Sequence, residues 1–267
     1  MPDSLQPDEE WLKRNQSLRL DANSRLFPEE RREFHLDRYR FAKELCDGRK
    51  VLDGACGTGY GAALLAAVAA RVVGIDCSPE PVEYASRTYR RPNLSFQKAF
   101  VELTPFPDCS FDVVVSFETV EHTLSPRSHM MEVIRLLTPD RGLAILSIPN
   151  GWGYTDHHFF DFTFALLRDL TQQFFLETKF YYQNPRSHPA LSGIGPLGAA
   201  EPKSAQCIIG VCSGPRKDRV ASERIESVMD EIYANAFARH AEFLTLLYRQ
   251  NSSIPQRLLN RLRRMLG

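Results

Sequence analysis

The densest chemical signal in the chain is VLDGACGTGYG, residues 51–61. An apolar strand ends at Asp53 and runs into a turn that carries Gly54, Ala55, Gly57 and Gly59. Side chains missing from such a turn let a ligand approach the backbone closely, and the helix after it offers unpaired N–H groups at its start. A second apolar strand, VVGID, ends at Asp76, with Cys77 next to it. A carboxylate there can accept hydrogen bonds from both hydroxyls of a ribose. Taken alone, the glycine turn could be no more than a tight strand–helix connection. With Asp76 in register it reads as a nucleoside site. Residues 57–62 also fit G-x-G-x-x-A, the dinucleotide fingerprint. Asp53 speaks against that reading, because a carboxylate before the turn would oppose a pyrophosphate but suits an ammonium. The chain also lacks a second mononucleotide-binding half, and its end adds a strand pair instead of another strand–helix–strand unit.

The elements that must position these residues alternate along the chain. A helix is expected over 28–46, then strands at 50–53, 71–76, 94–98, 111–117 and 142–149. Helices at 59–70, 79–90 and 126–137 separate them, the second opened by Ser78 as N-cap and Pro79 in its first turn. FDVVVSF is apolar throughout, which suits a strand covered on both faces. Such alternation predicts a parallel sheet with helices on both sides. Residues 1–28 are expected to be a loose, flexible segment. The aromatic-rich stretch 151–176 is expected to be a helical insertion, 176–183 and 205–212 two further strands, and 184–202 a long Pro/Gly-rich loop. Residues 223–249 have the spacing of an amphipathic helix, within a C-terminal helical extension over 219–267.

Bulk properties narrow the class. Among 267 residues, 43% are hydrophobic and 25% charged, the balance of an ordinary soluble globular protein. Thirty-three basic residues offset 33 acidic ones, so net charge supplies no reason to expect nucleic acid as a partner. The polar N-terminus lacks a signal-peptide core, and the longest apolar run, 62–70, is too short to span a bilayer. Six cysteines without a CxxC pair read as free thiols in a reducing compartment. A cytoplasmic location is expected, and nothing has the spacing of a standard metal site, so no metal is expected.

Four motifs, in order, carry a family resemblance. VLDGACGTGYG, VVGIDCSP, LTPFPDCSFDVVVSFETVEH and RLLTPDRGLAILSIPN resemble the successive motifs of class I S-adenosylmethionine-dependent methyltransferases, over about residues 35–150. The Asp140–Arg141 turn departs from the Pro-Gly or Gly usual there. The resemblance implies a Rossmann-like, doubly wound α/β fold: a mostly parallel seven-stranded sheet with an antiparallel last strand, here with an N-terminal helix before it. It implies S-adenosyl-L-methionine as cofactor. Gly54 and its neighbours would pass under the methionine moiety and Asp76 would hold the ribose. Phe100 and Ala99 would flank the adenine, while Ser116, Phe117 and Glu118 would line the transfer site. Arg38 and Tyr39 would close over the cofactor and meet its carboxylate, although a solvated helix face is nearly as good an account of Arg38. The methyltransferase domain is expected over 29–213.

A hydroxyl acceptor would benefit from a base. His122, just beyond the fourth strand, is the candidate, since imidazole titrates near neutral pH, and Glu118 is the fallback. The plainer alternative is that Glu121 and His122 only cap the next helix. His157 and His158, beside Asp156 and Asp161, could meet the acceptor or simply pack among Phe159, Phe160 and Phe162. Trp152, Tyr154, Phe159 and Phe160 form a candidate acceptor wall, with ordinary core as the alternative. HLDRYRFA, SFETVEH, SIPN and PKSAQCIIGVCS are similar to methyltransferases of bacterial polysaccharide and glycan assembly, which implies O-methylation of a sugar or glycan-linked acceptor. The alternatives are O-methylation of a small metabolite such as a natural product or quinone precursor, and a non-catalytic cofactor-binding scaffold. Homodimer contact through the 223–249 helix, and weak peripheral membrane contact through the basic tail PQRLLNRLRRMLG, complete the expected partners. For the tail, a solvated helix is the blander account.

Overall fold

The computed structural model describes residues 9–15, 20–123, 125–153, 158–199 and 202–217. The expected C-terminal helix and basic tail, Tyr154, Asp156 and His157 lie outside the described residues, and so do the dimer and membrane contacts assigned to the helix and tail.

The described chain runs α1 (Glu9–Asn15), α2 (Glu29–Glu44), β1 (Lys50–Gly54), α3 (Tyr60–Leu65), β2 (Arg71–Asp76), α4 (Pro79–Thr88), β3 (Leu94–Lys98) and β4 (Val113–Phe117). It continues through a 3-10 turn (Val120–His122), α5 (Pro126–Leu136), β5 (Leu143–Pro149), α6 (Phe164–Phe174), β6 (Phe175–Asn184), β7 (Gly193–Pro196) and β8 (Cys207–Pro215). All strands join one sheet, in the order β3-β2-β1-β4-β5-β8-β6-β7. The pairs from β3 to β5 are parallel. β8 runs antiparallel to β5 and β6, and β7 antiparallel to β6. None of the described helices is long and apolar enough to cross a membrane.

Side-chain alternation splits the core into two layers. Leu52, Val114, Leu146 and Ile148 point to the face covered by α5 and α6, where they meet Met130, Val133, Leu167, Leu170 and Phe174. Val51, Val72, Val113, Val115, Ile145 and Ile209 point to the other face, where they meet Tyr39, Ala42, Ala62 and Leu65 from α2 and α3. Each fully buried Val, Leu, Ile or Phe side chain contributes about 1.5–3 kcal/mol, and the two layers together make the sheet rigid beneath its loops. Gly61 matters to this packing: a Cβ there would stand 2.0 Å from the Tyr39 ring, so glycine is what lets α2 lie on α3.

Four expectations need correction. The sheet has eight strands, because GIGP, residues 193–196, lies within the expected loop and pairs with the end of β6. Among the described residues of 151–176 the helix spans Phe164–Phe174, where the Thr163 hydroxyl caps it by accepting from the Leu166 amide. The helix expected to run to residue 70 ends at Leu65, in a string of turns that places Gly48 and Val68 in hydrogen-bond contact. The N-terminal segment is not loose where it is described. Leu12 is buried, Trp11 stacks on Tyr84 at 5.0 Å, and the buried Asp21 accepts from the hydroxyls of Tyr84 (2.9 Å) and Tyr89 (2.7 Å).

Candidate active site

The loops after β1, β2 and β4 meet at the carboxyl edge of the sheet, which is where open α/β sheets bind ligands. Buried strands hold all three in register, so the turns inherit the rigidity of the core.

The turn after β1 is held from two sides. The Cys56 amide donates to the Ile75 carbonyl (2.8 Å) and the Gly57 amide to Asp76 Oδ2 (3.1 Å). Asp76 Oδ1 accepts from the Ser78 amide at 2.9 Å. These bonds aim the Asp76 carboxylate along the turn. Gly57 has φ +54, and a Cβ built on it would meet nothing within 4 Å. The space above Gly57 is therefore an open crevice. Gly59 serves packing instead, since its Cβ would strike Ala85 at 2.6 Å and the Phe96 ring at 2.8 Å. Gly54 has ordinary room, with Val101 at 3.5 Å and Ser116 Oγ at 3.8 Å. From outside, the Thr58 hydroxyl donates to the Leu20 carbonyl (2.9 Å), which ties the N-terminal stretch to the turn.

Ala55 occupies the left-handed region at φ 58. That conformation costs an L-residue with a Cβ about 1–2 kcal/mol, and glycine would recover most of it while losing part to the unfolded chain. Ala55→Gly should therefore raise stability by about 0.5 kcal/mol, visible as a higher denaturant midpoint with an unchanged slope.

Asp53 lies at the end of β1 beneath α2. It is wholly buried and accepts from the Tyr39 hydroxyl at 3.2 and 3.3 Å, which ties α2 to the end of β1. Burial raises its carboxyl to about 7, only partly offset by Tyr39 and the Ala62 amide. The raised carboxyl favours the protonated folded state, so stability is lost as pH climbs from the ordinary 3.8 toward 7. Asp53→Asn should stabilise the fold at pH 8 by on the order of 2 kcal/mol, with little gain at pH 4. Thermal melts at the two values check this.

The β4 end is built around an ion pair. Arg38 is buried on α2. Its Nη1 donates to Glu118 Oε1 (2.5 Å) and Ser147 Oγ (3.2 Å), and its Nη2 donates to His35 Nδ1 (2.9 Å). The Glu118 amide reaches the Ser147 carbonyl (3.0 Å) and hydroxyl (3.1 Å), and Cys207 Sγ donates to Glu118 Oε1 (3.3 Å). Burial alone would raise the Glu118 carboxyl, but Arg38 and His35 outweigh it and hold it at about 2. A carboxylate that acidic is a poor proton acceptor near neutral pH. Arg38 is no solvated face residue. Burial and the Arg38 charge push His35 down to about 4, so it stays neutral and accepts. Glu118 also has φ 47. Backbone strain of this kind concentrates at functional sites, and Ala55 and Glu118 sit at two of the three converging turns.

The other expected residues occupy varied surroundings. Tyr39 packs edge-on against Phe117 (5.1 Å) and Tyr60 (5.4 Å). The buried Ser116 lies 3.2 Å from His129 Nε2, and His129 Nδ1 lies 3.4 Å from the Val101 carbonyl. A carbonyl only accepts, so Nδ1 carries the proton and Nε2 accepts from Ser116. Ala99 is buried and its amide donates to the Asp76 carbonyl at 3.0 Å, while Phe100 is 60% exposed. His122 is exposed at the end of the 3-10 turn, its ring 4.7 Å from that of His158. His35, His129, Ser147 and Cys207 escaped the sequence reading, because nothing in their local sequence marks them. All six cysteines are free.

The fold is of the doubly wound α/β class. Residues 52–145 match the family model described as "Methyltransferase domain". A protein of Mycolicibacterium smegmatis, named probable S-adenosylmethionine-dependent methyltransferase, is 38% identical over 112 residues, 42% of this chain and 42% of that one. The ubiquinone biosynthesis O-methyltransferase of Methylocella silvestris is 35% identical over 91 residues, 33% of this chain and 36% of its own length. The chain thus spans about two fifths or less of the curated relatives it matches. A solved SAM-dependent methyltransferase from Thermotoga maritima shares the fold at TM-score 0.55 and 19% identity, covering 69% of this chain and 90% of that one. Residues 52–145, about a third of the chain, are thus similar to a methyltransferase domain, a similarity that implies S-adenosyl-L-methionine as the cofactor. Toward such a group the structure offers open space beside Gly57 and an Asp76 carboxylate oriented by the Gly57 and Ser78 amides.

Proposed function

We propose that this chain transfers a methyl group from S-adenosylmethionine to a hydroxyl oxygen, with a sugar or glycan-linked hydroxyl as acceptor. The observation that carries the reading is the open crevice at Gly57 bounded by the oriented Asp76 carboxylate. When bound, the cofactor supplies an already activated methyl group. The protein's task is then alignment and exclusion of water. The Arg38–Glu118 pair fixes the β4 turn, Tyr39 and Phe117 wall the site with apolar rings, and His122 can take up the hydroxyl proton. Sugars stack on exposed aromatic surfaces, and Trp152 and Phe159, about half exposed just past β5, offer one. The glycan choice also draws on the motif resemblance in HLDRYRFA, SFETVEH and SIPN.

A small-metabolite acceptor is the second reading, favoured by the similarity to the ubiquinone biosynthesis O-methyltransferase. Turnover on sugar nucleotides and glycans, measured beside turnover on phenols, separates the two. Absence of turnover on either, with cofactor uptake intact, would leave a binding scaffold. Asp76→Ala should weaken uptake of the demethylated cofactor about 10- to 100-fold, since a charged acceptor is worth roughly 1.5–3 kcal/mol. Calorimetry showing equal affinity would remove Asp76 from the site.

A further inference from the structure

The 3-10 turn after β4 holds a feature that methyl transfer does not require. Glu121 is completely buried, and among the described residues neither of its carboxylate oxygens has a hydrogen-bond partner beyond its own residue. A buried carboxylate is costly unless a cation or donor compensates it. Two imidazoles stand beside it. His122 is the next residue in the same turn, and His158 is brought over because the Phe159 and Phe160 amides both donate to the Glu121 carbonyl, at 2.9 and 3.2 Å. One ligand atom from each of Glu121, His122 and His158 lies within 4.8 Å of the others.

We propose that Glu121, His122 and His158 form a binding site for one divalent transition-metal ion of the zinc class. Two imidazole nitrogens and one carboxylate oxygen are a donor set that zinc and its neighbours take, and they leave a fourth position open. Magnesium and calcium prefer all-oxygen sets. Bonds of about 2.0–2.2 Å place tetrahedral ligand atoms about 3.3 Å apart, so the three atoms must close by at most about 1.5 Å. Rotation of the exposed His122 and the half-buried His158 supplies that movement. The exposed His122 also gives the ion a path from solvent, and the orphaned Glu121 supplies the negative charge on the inner side. The site stands independently of the acceptor. Only its use in catalysis, with the open position taking the acceptor oxygen and the ion, in place of a ligated His122, favouring loss of the hydroxyl proton, rests on the methyl-transfer reading.

The test is calorimetric titration of the metal-stripped full-length protein with zinc chloride, alongside a separate titration with S-adenosylhomocysteine. One zinc per chain is expected, weakened about 10- to 100-fold in Glu121→Gln, His122→Ala and His158→Ala. Cofactor-product affinity should be unchanged in His158→Ala. Cobalt(II) in place of zinc should give the intense visible absorption of a four-coordinate site, absent in Glu121→Gln. That variant removes a buried, uncompensated carboxyl, so the metal-free form should melt no lower than the parent, which separates lost ligation from lost folding. No stoichiometric zinc uptake, uptake indifferent to all three substitutions, or preferential uptake of magnesium would each overturn the proposal. Loss of S-adenosylhomocysteine binding with zinc uptake intact would instead overturn the methyl-transfer reading and leave the metal site standing.

Discussion

Arg38→Ala is expected to lower unfolding free energy by about 3 kcal/mol, the lower end of the loss that removing one member of a buried ion pair causes. The lower end applies because Glu118 keeps 26% of its side-chain surface, so water compensates part of the stranded charge. Arg38 itself is 2% exposed and also serves Ser147 and His35, which would lose a donor with it. The deficit has a pH signature. Glu118 titrates at about 2 in the fold against 4.5 ordinarily, so the stability it contributes is complete above 4.5 and fades as pH falls toward 2. The gap between parent and variant should narrow over that window. Adding Glu118→Gln to Arg38→Ala should restore more than half of the loss, because no charge is then left buried. Urea titrations of the parent, the single variant and the double variant at pH 7 measure all three quantities, and a double variant no better than the single would contradict the ion-pair account.

Gly57→Val should abolish uptake of S-adenosylhomocysteine, with at least about a 100-fold loss corresponding to some 2.7 kcal/mol. Two effects separate cleanly here. The valine backbone would be strained at φ +54, and a β-branched residue tolerates that region poorly, so stability falls by about 1–2 kcal/mol. The binding loss has another origin. A Cβ at this position meets nothing of the protein, so the added atoms project into the crevice that the ligand needs. Gly57→Ala carries nearly the same backbone strain with less bulk and should bind measurably better than valine. Equal affinity for the two variants in calorimetry would place the ligand elsewhere.

The parallel half of the sheet was legible because each strand is a short continuous apolar run closed by a polar or glycine punctuation. VVGID ending on Asp76 and FDVVVSF before Glu118 are examples, and the structure places these ends together at one edge. Residues whose roles depend on distant partners were not legible. Arg38 on a polar helix looks like a surface cation, and only Glu118, 80 residues away, explains its burial. The stretch around Asp21 is polar and lacks periodicity, and its order comes from the hydroxyls of Tyr84 and Tyr89 on and beside α4. GIGP has two glycines and a proline, a composition that speaks for a loop, and pairing with Tyr181 to Asn184 makes it an edge strand. The hydroxyl of Tyr39 that covers Asp53 comes from another element, so nothing beside Asp53 in the sequence announces it.

The position of β8 bears on how this chain must be made. It is the last described strand, yet it slots between β5 and β6 in the middle of the antiparallel half. Until residues 207–215 have emerged from the ribosome, β5 and β6 each present a bare row of amides and carbonyls to whatever is nearby. Chains cut short before Cys207 should consequently collect as aggregates through those open edges, whereas a tag fused beyond residue 217 leaves the closing strand free to insert.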